Sequence, residues 1–300
     1  MSVHGNQASA RGDHLETLNG LTDTQLGFNY YLENANVVLN LGLNLPTGKN
    51  KLSLTEFETS SLISNNIFNL QIPNFGQGLN VTSGLTWALP VSEVLVLGVG
   101  ASYQYKRGFK PLQAFIENYD PGDEILLTGG FDLRLGQTAS FSGDVIFTIF
   151  GKDKIGEDEV FAPGNKLVLN VQVRKYFNFN ELWLFTRYRS RSKNQQAFVL
   201  GEELMPEEQK INPNQLEIMG HYRIRFSRNF YLSILAEGRI YEKTLDTFSG
   251  ISLFGGGVTP EIIPTTKYKI PIRFKYHTGS FKDGTNISGW EMGLGMVVNF

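Results

Sequence analysis

Apolar and polar residues alternate along most of this chain, with the period of two that is typical of β-strands. In residues 93–106, Leu97 and Val99 share one parity, whereas Gln104 and Lys106 share the other. The same alternation recurs in residues 164–176, 214–226 and 266–277. The pattern therefore predicts strands that have one apolar face and one polar face.

Strand length and charge indicate which solvent each face meets. The alternating segments run for about 11–14 residues, whereas strands of soluble proteins average about 5–6. At about 3.3 Å per residue and a tilt near 45°, that length crosses the hydrocarbon layer of a bilayer. The polar parity carries more full charges than a soluble core accepts, but a water-containing lumen accepts them. The sequence therefore predicts an all-β fold, an antiparallel transmembrane β-barrel of the bacterial outer membrane, in preference to a soluble sandwich or barrel.

Aromatic residues gather near the ends of the apolar stripes, where rings with one apolar and one polar side favour a membrane interface. They are Phe28, Tyr30, Trp87, Tyr103, Tyr105, Tyr188, Tyr268, Tyr276 and Trp290. Outer-membrane lipid is accordingly the first predicted partner.

Connections between the strands alternate between short turns and long links, as in barrels whose short turns face the periplasm. The long links are predicted at 49–75, 108–122, 152–163, 193–213, 243–250 and 278–288. About 13 strands fit this chain, and residues 251–263 are the least secure because glycines 255–257 and Pro260 weaken a strand. Since single-chain bacterial barrels have even counts, we expect a parent of about 14 strands that has lost its signal peptide and first strand. The alternative is 12 strands, with 251–263 as a loop.

The predicted domain organisation is a short leader and one barrel. Residues 1–20 form a polar leader, part of the first outer loop, and residues 21–300 form a single transmembrane barrel. The leader lacks the plan of a secretory signal, so either the chain has been trimmed or the membrane interpretation is wrong. The last alternating segment ends at Phe300, and a terminal aromatic residue resembles the signal that the outer-membrane assembly machinery reads. That machinery is the second predicted partner.

Composition excludes several functional classes. The 300 residues include no Cys, which excludes disulfides and thiolate sites, and the formal net charge of −2 argues against a nucleic-acid partner. The four His are dispersed, and no nucleophile elbow, zinc-binding helix motif or phosphate-binding loop is present. We therefore expect no enzyme, no cofactor and no metal site.

Charged residues concentrate on the parity that faces the predicted lumen. They are Asp132, Arg134, Asp144, Lys166, Arg174, Arg187, Arg189, Arg191, Glu217, His221, Arg223, Arg225, Glu237, Arg239, Lys269, Arg273, Lys275 and Glu291. Basic groups outnumber acids, so one interpretation is a cationic wall that favours anions or amphipaths with acidic heads. The alternative is a lattice of cross-strand salt bridges that fills the barrel and stiffens it.

An apolar loop is the second candidate site. Residues 49–75 are rich in large apolar side chains, and residues 53–67 have helical spacing. The side chains predicted to form the site are Leu54, Phe57, Leu62, Ile63, Ile67, Phe68 and Leu70. Such a segment would capture a hydrophobic solute at the mouth of the barrel, or else it packs on itself and covers the outer opening.

Two stretches resemble a known family. Residues 43–49, Leu-Asn-Leu-Pro-Thr-Gly-Lys, resemble the strand-ending LPTG of the MetA-pathway phenol-degradation family of outer-membrane proteins, and residues 75–80 and 85–87 resemble its next segment. That family is similar to the FadL-type transporters, 14-stranded barrels that import long-chain fatty acids and aromatic hydrocarbons. The FadL hatch, with its Asn-Pro-Ala element, has no match in this sequence, so neither hatch gating nor substrate residues are carried over.

The predicted function is an outer-membrane channel or transporter for small hydrophobic or amphipathic molecules, such as fatty acids and aromatic compounds. One alternative is a closed structural or interaction barrel with a salt-bridged lumen. The other is a general porin for small solutes.

Overall fold

The computed structural model describes residues 5–11, 15–49, 51–57, 76–112, 117–244, 249–265 and 267–298, which fold mostly as β-strands. The strands are β1 (Gly5–Arg11), β2 (Leu15–Leu21), β3 (Thr24–Leu32), β4 (Val37–Leu45), β5 (Asn80–Pro90), β6 (Leu95–Lys106), β7 (Tyr119–Asp120), β8 (Glu124–Arg134), β9 (Ala139–Phe150), β10 (Asp153–Ile155), β11 (Asp158–Ala162), β12 (Lys166–Phe177), β13 (Asn180–Arg191), β14 (Gln195–Gln196), β15 (Met205–Pro206), β16 (Gln215–Arg225), β17 (Phe230–Tyr241), β18 (Ile251–Thr265), β19 (Tyr268–Phe281), β20 (Asn286–Leu294) and β21 (Val297–Val298). A 3-10 helix, Glu33–Ala35, and a helical turn at 54–57 are the helical elements of these ranges. Neither is a helix of the length and apolarity that a membrane crossing requires.

The long strands form one antiparallel sheet, here called the wall, in which each strand pairs with the next long strand along the chain. The order is β3-β4-β5-β6-β8-β9-β12-β13-β16-β17-β18-β19-β20, and the short β21 also pairs with β19. Tight turns at one end produce this order. Asn36, Gly136 and Asn178 have φ angles of 52°, 75° and 56° in these turns, a left-handed conformation that Gly and Asn adopt most readily.

The predicted antiparallel barrel fold and its strand count of about 13 are confirmed for the described residues. β18, which includes the least secure predicted segment, pairs along its length with both β17 and β19, so the 12-strand alternative is wrong. The predicted long link at 278–288 is also wrong, because β19 continues to Phe281 and β20 begins at Asn286. Gly284, with a φ of 91°, lies in the short turn between them.

The two faces of the wall differ as the alternation predicts. Val171, Leu184 and Ile218 lie on the outer face, where 42%, 46% and 51% of each residue is exposed. Arg187 and Glu217 have the opposite parity and lie on the inner face, where Glu217 is buried. An apolar surface that is accessible along whole strands matches lipid and is unfavourable in water. The outer face is therefore the face that contacts the bilayer.

The first and last long strands are the two edges of the wall. Because successive strands alternate in direction, β3 and β20 run the same way, and within the described ranges no hydrogen-bonded ladder joins them. Trp290, Met292 and Leu294 on β20 are consequently more exposed than the outer-face residues of interior strands.

The end of the wall with the longer connections carries additional structure. β7, β10, β11, β14 and β15 come from three different loops and form a small antiparallel sheet, while β1 and β2 form a hairpin. Asp153 holds two of these loops together, because it accepts hydrogen bonds from the Tyr119 hydroxyl and from the Gly122 amide at 2.8 Å. Burial, together with the bond to Asp153, raises the pKa of Tyr119 above its ordinary value. The loops therefore form an ordered platform.

A buried aspartate explains the glycine of the Leu-Pro-Thr-Gly stretch. Asp23, which is 4% exposed, accepts hydrogen bonds from Asn44 Nδ2 at 2.7 Å, from the Gly48 amide at 2.8 Å and from the Gln77 amide at 2.7 Å. A Cβ atom on Gly48 would lie 2.6 Å from the Asp23 nitrogen, which is too close for any side chain. This glycine thus allows the chain after β4 to return over the start of β3.

Placing a charge at mid-depth on the outer face tests the assignment of the two faces. We expect Val171→Arg to lower the free energy of unfolding from phospholipid vesicles by about 2–4 kcal/mol, because lipid does not solvate a guanidinium. Urea titration followed by tryptophan fluorescence measures this change. Thr86→Arg is the matched control, since Thr86 is exposed on the inner face. It should lower stability by less than about 1 kcal/mol. Equal losses in the two variants would contradict the assignment.

Candidate functional site

The inner face of β12, β13 and β16–β20 gathers charges of both signs. The strand register places Arg187 beside Glu217, and Glu217 beside Arg239, on three successive strands. Such alternation of sign across strands stabilises an antiparallel sheet. We call this surface the charged wall. Its four central carboxylates are Glu217, Glu237, Glu261 and Glu291, and each lies within 4 Å of at least two basic side chains.

Glu217, which is 6% exposed, orders two arginines of β13. Its Oε1 lies 3.2 Å from Arg189 Nη1, and its Oε2 lies 3.8 Å from Arg187 Nη1. Arg187 also donates from Nε to Asn170 at 2.8 Å, and the Asn170 amide donates to Asp144 at 2.7 Å. An enclosed carboxylate is unstable unless basic groups pair with it, so Glu217 holds both arginines beside it. The hydrogen bond to Asn170 fixes the orientation of Arg187 as well.

Glu261 connects three strands of the charged wall. From β18 it accepts a hydrogen bond from Arg223 Nη2 on β16 at 2.6 Å, and it lies 2.9 Å from Lys269 Nζ on β19. The first of these contacts crosses the whole of β17. Arg223 pairs with Ser233 in the register, and its guanidinium lies 4.0 Å from the centroid of the Tyr231 ring, which pairs with Glu261.

A glycine makes a second bridge across an intervening strand possible. Glu237 on β17 lies 3.0 Å from Lys275 Nζ and 3.2 Å from His277 Nδ1, and both bases belong to β19. Gly255 on β18 lies between Glu237 and these bases. A Cβ atom on Gly255 would lie 2.7 Å from His277 Nδ1 and 2.9 Å from Glu237 Cγ. Gly255, which weakened the prediction of this strand, therefore gives the ion pairs the room they need.

Glu291 extends the charged wall to its edge on β20. It lies 3.4 Å from Arg273 Nη1 and 3.5 Å from Lys275 Nζ, so Lys275 is shared between Glu291 and Glu237. Arg239, which is 4% exposed, completes the group with a 2.9 Å contact to Glu237 on its own strand.

The other predicted lumen residues lie on the inner face outside these clusters. Asp132, Arg134 and Arg174 are exposed, and Arg174 forms an ion pair with Glu181 at 3.1 Å. His221 pairs with Trp183 in the register, and its side chain forms no hydrogen bond with another described residue. All four lie outside the lattice, and Asp132 and Arg134 are open to solvent or to a solute.

Four predicted lysines and arginines lack an acidic partner within 4 Å in the described part of the chain: Arg134, Lys166, Arg191 and Arg225. Arg191 and Arg225 lie instead over aromatic rings. Arg191 Cζ is 4.8 Å from the centroid of Phe150, and Arg225 Cζ is 4.8 Å from that of Phe179. Their charge is thus stabilised by cation–π contact and is not neutralised by a carboxylate.

Several inner-face aromatic residues and three acids were missed by the sequence analysis. The acids are Glu124, Glu181 and Glu261. Trp183 and Phe185 share the parity of Arg187, and that parity was the signal that could have found them. Their rings are stacked, with centroids 5.4 Å apart and planes 11° apart, and the Arg187 guanidinium lies 5.0 Å from the Phe185 centroid. We call Trp183 and Phe185 the aromatic shelf.

An apolar cluster lies on the inner face near the loop end of β17–β20. Tyr241, Ile251 and Leu253 are buried, and Phe281 and Ile287 pack against them. Below this cluster toward the short turns lie Arg239, Glu237 and Lys275. The charged wall is therefore shielded from the loop side by hydrocarbon on these strands.

Only the start of the predicted capture loop lies within the described residues. Leu54 and Phe57 are exposed on the helical turn at 54–57, whereas Leu62, Ile63, Ile67, Phe68 and Leu70 lie outside the described ranges. Ser53 and Glu56 form a capping box at its start, since the Glu56 amide donates to Ser53 Oγ at 3.2 Å and the Ser53 amide donates to Glu56 Oε2 at 3.0 Å. The hydrogen bond from Lys49, followed by that from Ser53, lowers the pKa of Glu56.

Removing one enclosed carboxylate tests whether the lattice supports the fold. We expect Glu217→Gln to lower the free energy of unfolding by about 3–5 kcal/mol, because Arg187 and Arg189 lose their shared counter-ion in an enclosed site. Urea unfolding in detergent micelles measures the change. Glu159→Gln is the control, since its ion pair with Lys152 at 2.7 Å is largely exposed. That variant should change stability by less than about 1 kcal/mol. A loss for Glu217→Gln no larger than the control's would mean that the lattice is dispensable.

Comparison with known proteins places the fold. No protein-family model matches this chain, and no curated protein sequence matches it. Among solved structures, it is similar to the outer membrane channel DcaP of Acinetobacter baumannii, with a TM-score of 0.51 and 10% identity over 98% of this chain and 95% of that one. Weaker likenesses are to the translocator domain of autotransporter NalP from Neisseria meningitidis (TM-score 0.33, 12% identity, 94% of this chain and 88% of that one) and to CdiB from Escherichia coli (0.45, 7%, 98% and 61%). The fold is that of a bacterial outer-membrane β-barrel, and its lipid-matched outer face agrees with the predicted location in the outer membrane.

Proposed function

We propose that this chain forms an outer-membrane channel or transporter for small hydrophobic or amphipathic molecules, such as fatty acids and aromatic compounds. The observation that carries the proposal is the aromatic shelf beside Arg187 on the inner face. Stacked rings bind a planar or aliphatic body, and the adjacent guanidinium binds an acidic head. An amphipath with both parts matches the shelf.

The charge balance of the inner face supports the same proposal. Each central carboxylate of the charged wall contacts several bases, and Arg191 and Arg225 add positive charge with no acidic partner among the described residues. An excess of fixed positive charge raises the local concentration of anions. A fatty or aromatic acid would therefore be attracted along this face as its ionised form.

Two likenesses agree with transport. The protein to which this chain is similar in fold, DcaP, is an outer membrane channel. The Leu-Pro-Thr-Gly stretch resembles the phenol-degradation family, which is similar to transporters of fatty acids and aromatic hydrocarbons. Exposed Leu54 and Phe57, close to the loop end, supply an apolar first contact of the kind that such solutes need.

The second candidate function is a closed structural or interaction barrel. It is favoured by the burial of Glu217, Arg239, Glu261 and Lys275 and by the apolar cluster near the loop end, which together occupy the inner face of β16–β19. A barrel of this kind would pass no current in a planar bilayer. A general porin, by contrast, would conduct but would not bind amphipaths in preference to other small ions.

Removing two unpaired arginine charges tests whether the positive charge of the inner face lies along the transport path. We expect the double variant Arg191→Gln/Arg225→Gln to lower the ratio of anion to cation permeability by about twofold or more, because these charges have no carboxylate to neutralise them. Reversal potentials across planar bilayers in a KCl gradient measure the ratio. Lys152→Gln, on an exposed loop, is the control and should leave the ratio unchanged. An unaltered ratio in the double variant would remove the cationic wall from the transport path.

Fluorescence tests the aromatic shelf directly, since the chain has three tryptophans, Trp87, Trp183 and Trp290. In Trp87→Phe/Trp290→Phe, the remaining Trp183 should respond saturably to benzoate and to decanoate but not to acetate, which lacks an apolar body. Adding Arg187→Gln should weaken the response to benzoate by about tenfold, the loss expected for one charge-assisted hydrogen bond.

A matched protein controls for effects of benzoate on lipid. In Trp183→Phe/Trp290→Phe, the remaining Trp87 lies on the outer face, and its fluorescence should not respond. An equal response of Trp87 and Trp183, or none from Trp183, would contradict binding at the shelf.

A further inference from the structure

The first four strands of the wall have an inner face unlike the charged wall. Their inward positions carry amide, hydroxyl, small and apolar residues, and Lys106 at the end of β6, which is paired with Glu124, is the one charged residue on those four strands' inner face. The register aligns Gln25, Asn44 and Asn80 in one row across β3, β4 and β5. The lumen surface is therefore divided between a charged part and a neutral, hydrogen-bonding part.

A cavity of about 470 Å³ opens on this neutral part, near the loop end. The residues that carry its polar groups are Gln25, Asn44, Gln77, Asn80, Thr82 and Gln104. Gly27 and Gly42 pair with each other in the register and form a floor without side chains, beside Thr82 and Gln104 in the same row. We call this cavity the amide socket. Its volume lies within the roughly 300–1,000 Å³ that is typical of small-molecule sites.

The polar groups of the amide socket are largely without partners of their own. The side chains of Gln25, Gln77, Thr82 and Gln104 form no hydrogen bond with any described residue. Asn80 is 5% exposed, and its Oδ1 atom likewise finds no donor among the described residues. Because buried polar atoms are nearly always hydrogen-bonded, an enclosed and unpaired amide oxygen points to a ligand that supplies the donor.

The chemistry of the socket defines that ligand. Amides and a hydroxyl offer donors and acceptors side by side and carry no net charge. A compound with several hydroxyl groups has the same property, since each hydroxyl both donates and accepts. The glycine floor lets a ring approach the backbone, where a side chain at either position would keep it away. An ionised solute would gain no charge pairing here.

We propose that the amide socket binds a neutral polyhydroxylated solute, a mono- or disaccharide. This site lies on β3–β6, whereas the aromatic shelf and charged wall lie on β12–β20, so the inference stands apart from the proposed function. It gives the inner face of the barrel a second ligand class. Sugar hydroxyls satisfy the free amides of Gln25, Gln77 and Gln104, and one of them donates to Asn80 Oδ1.

Two glycine variants test the socket without disturbing the fold. A Cβ atom on either Gly27 or Gly98 would meet nothing within 4 Å, so both positions accept a larger side chain. Gly27→Leu fills the floor of the socket, and we expect it to weaken maltose binding at least tenfold. Gly98→Leu, on the inner face six residues along β6 from Gln104, should leave maltose binding unchanged. Isothermal titration of the whole chain in detergent micelles, with maltose as the probe, measures both.

Further measurements make every outcome decisive. Gln104→Leu should also weaken maltose binding, which keeps the test sound should Gly27→Leu fold poorly. Equal maltose affinity in Gly27→Leu and Gly98→Leu, or no maltose binding by the native chain, would overturn the proposal. Benzoate binding at Trp183 should be the same in Gly27→Leu as in the native chain. Loss of benzoate binding with maltose binding intact would therefore count against the proposed function alone.

Discussion

The structure depends on one constraint, which is that the two faces of every long strand meet different solvents. Lipid on the outer face does not solvate a charge or an unpaired backbone group, so every polar group must be satisfied within the sheet or on its inner side. Val171 and Ile218 are apolar residues that face lipid, and Glu217 is a charged residue enclosed on the inner face. An enclosed carboxylate beside a lipid-covered wall is stable only when bases surround it, and Arg187 and Arg189 meet that need.

The same constraint explains how ion pairs and glycines occur together. Glu237 and His277, on strands two apart, reach one another because Gly255 between them has no side chain. A glycine that lowers the intrinsic strand preference of β18 thus allows contacts that fasten β17, β18 and β19 together. The cross-strand ion pairs here outweigh the low intrinsic preference of glycine for a strand.

Much of the fold follows from the alternation in the sequence, because parity alone decides which side chains face lipid. It placed Arg187, Arg223 and Lys275 on the inner face. Parity does not tell which bases are neutralised, since that depends on contacts such as Arg223 to Glu261 that skip a strand and have no signature in sequence. Trp183 and Phe185 were overlooked for another reason. The inner-face candidates were chosen for their charge, so aromatic residues of the same parity were left out.

The charged wall and the aromatic shelf are connected through Arg187, and the geometry indicates how much of its charge remains for a solute. Glu217 lies 3.2 Å from Arg189 but 3.8 Å from Arg187, so Arg189 is its closer partner. Asn170 and the Phe185 ring hold Arg187 in position without neutralising it. A guanidinium that is already held in position, with its counter-ion 3.8 Å away, binds a carboxylate at little cost, because it need not be ordered and has no short ion pair to break. The lattice of ion pairs is therefore compatible with transport, because the same contacts that stiffen the sheet also position Arg187 beside the aromatic shelf.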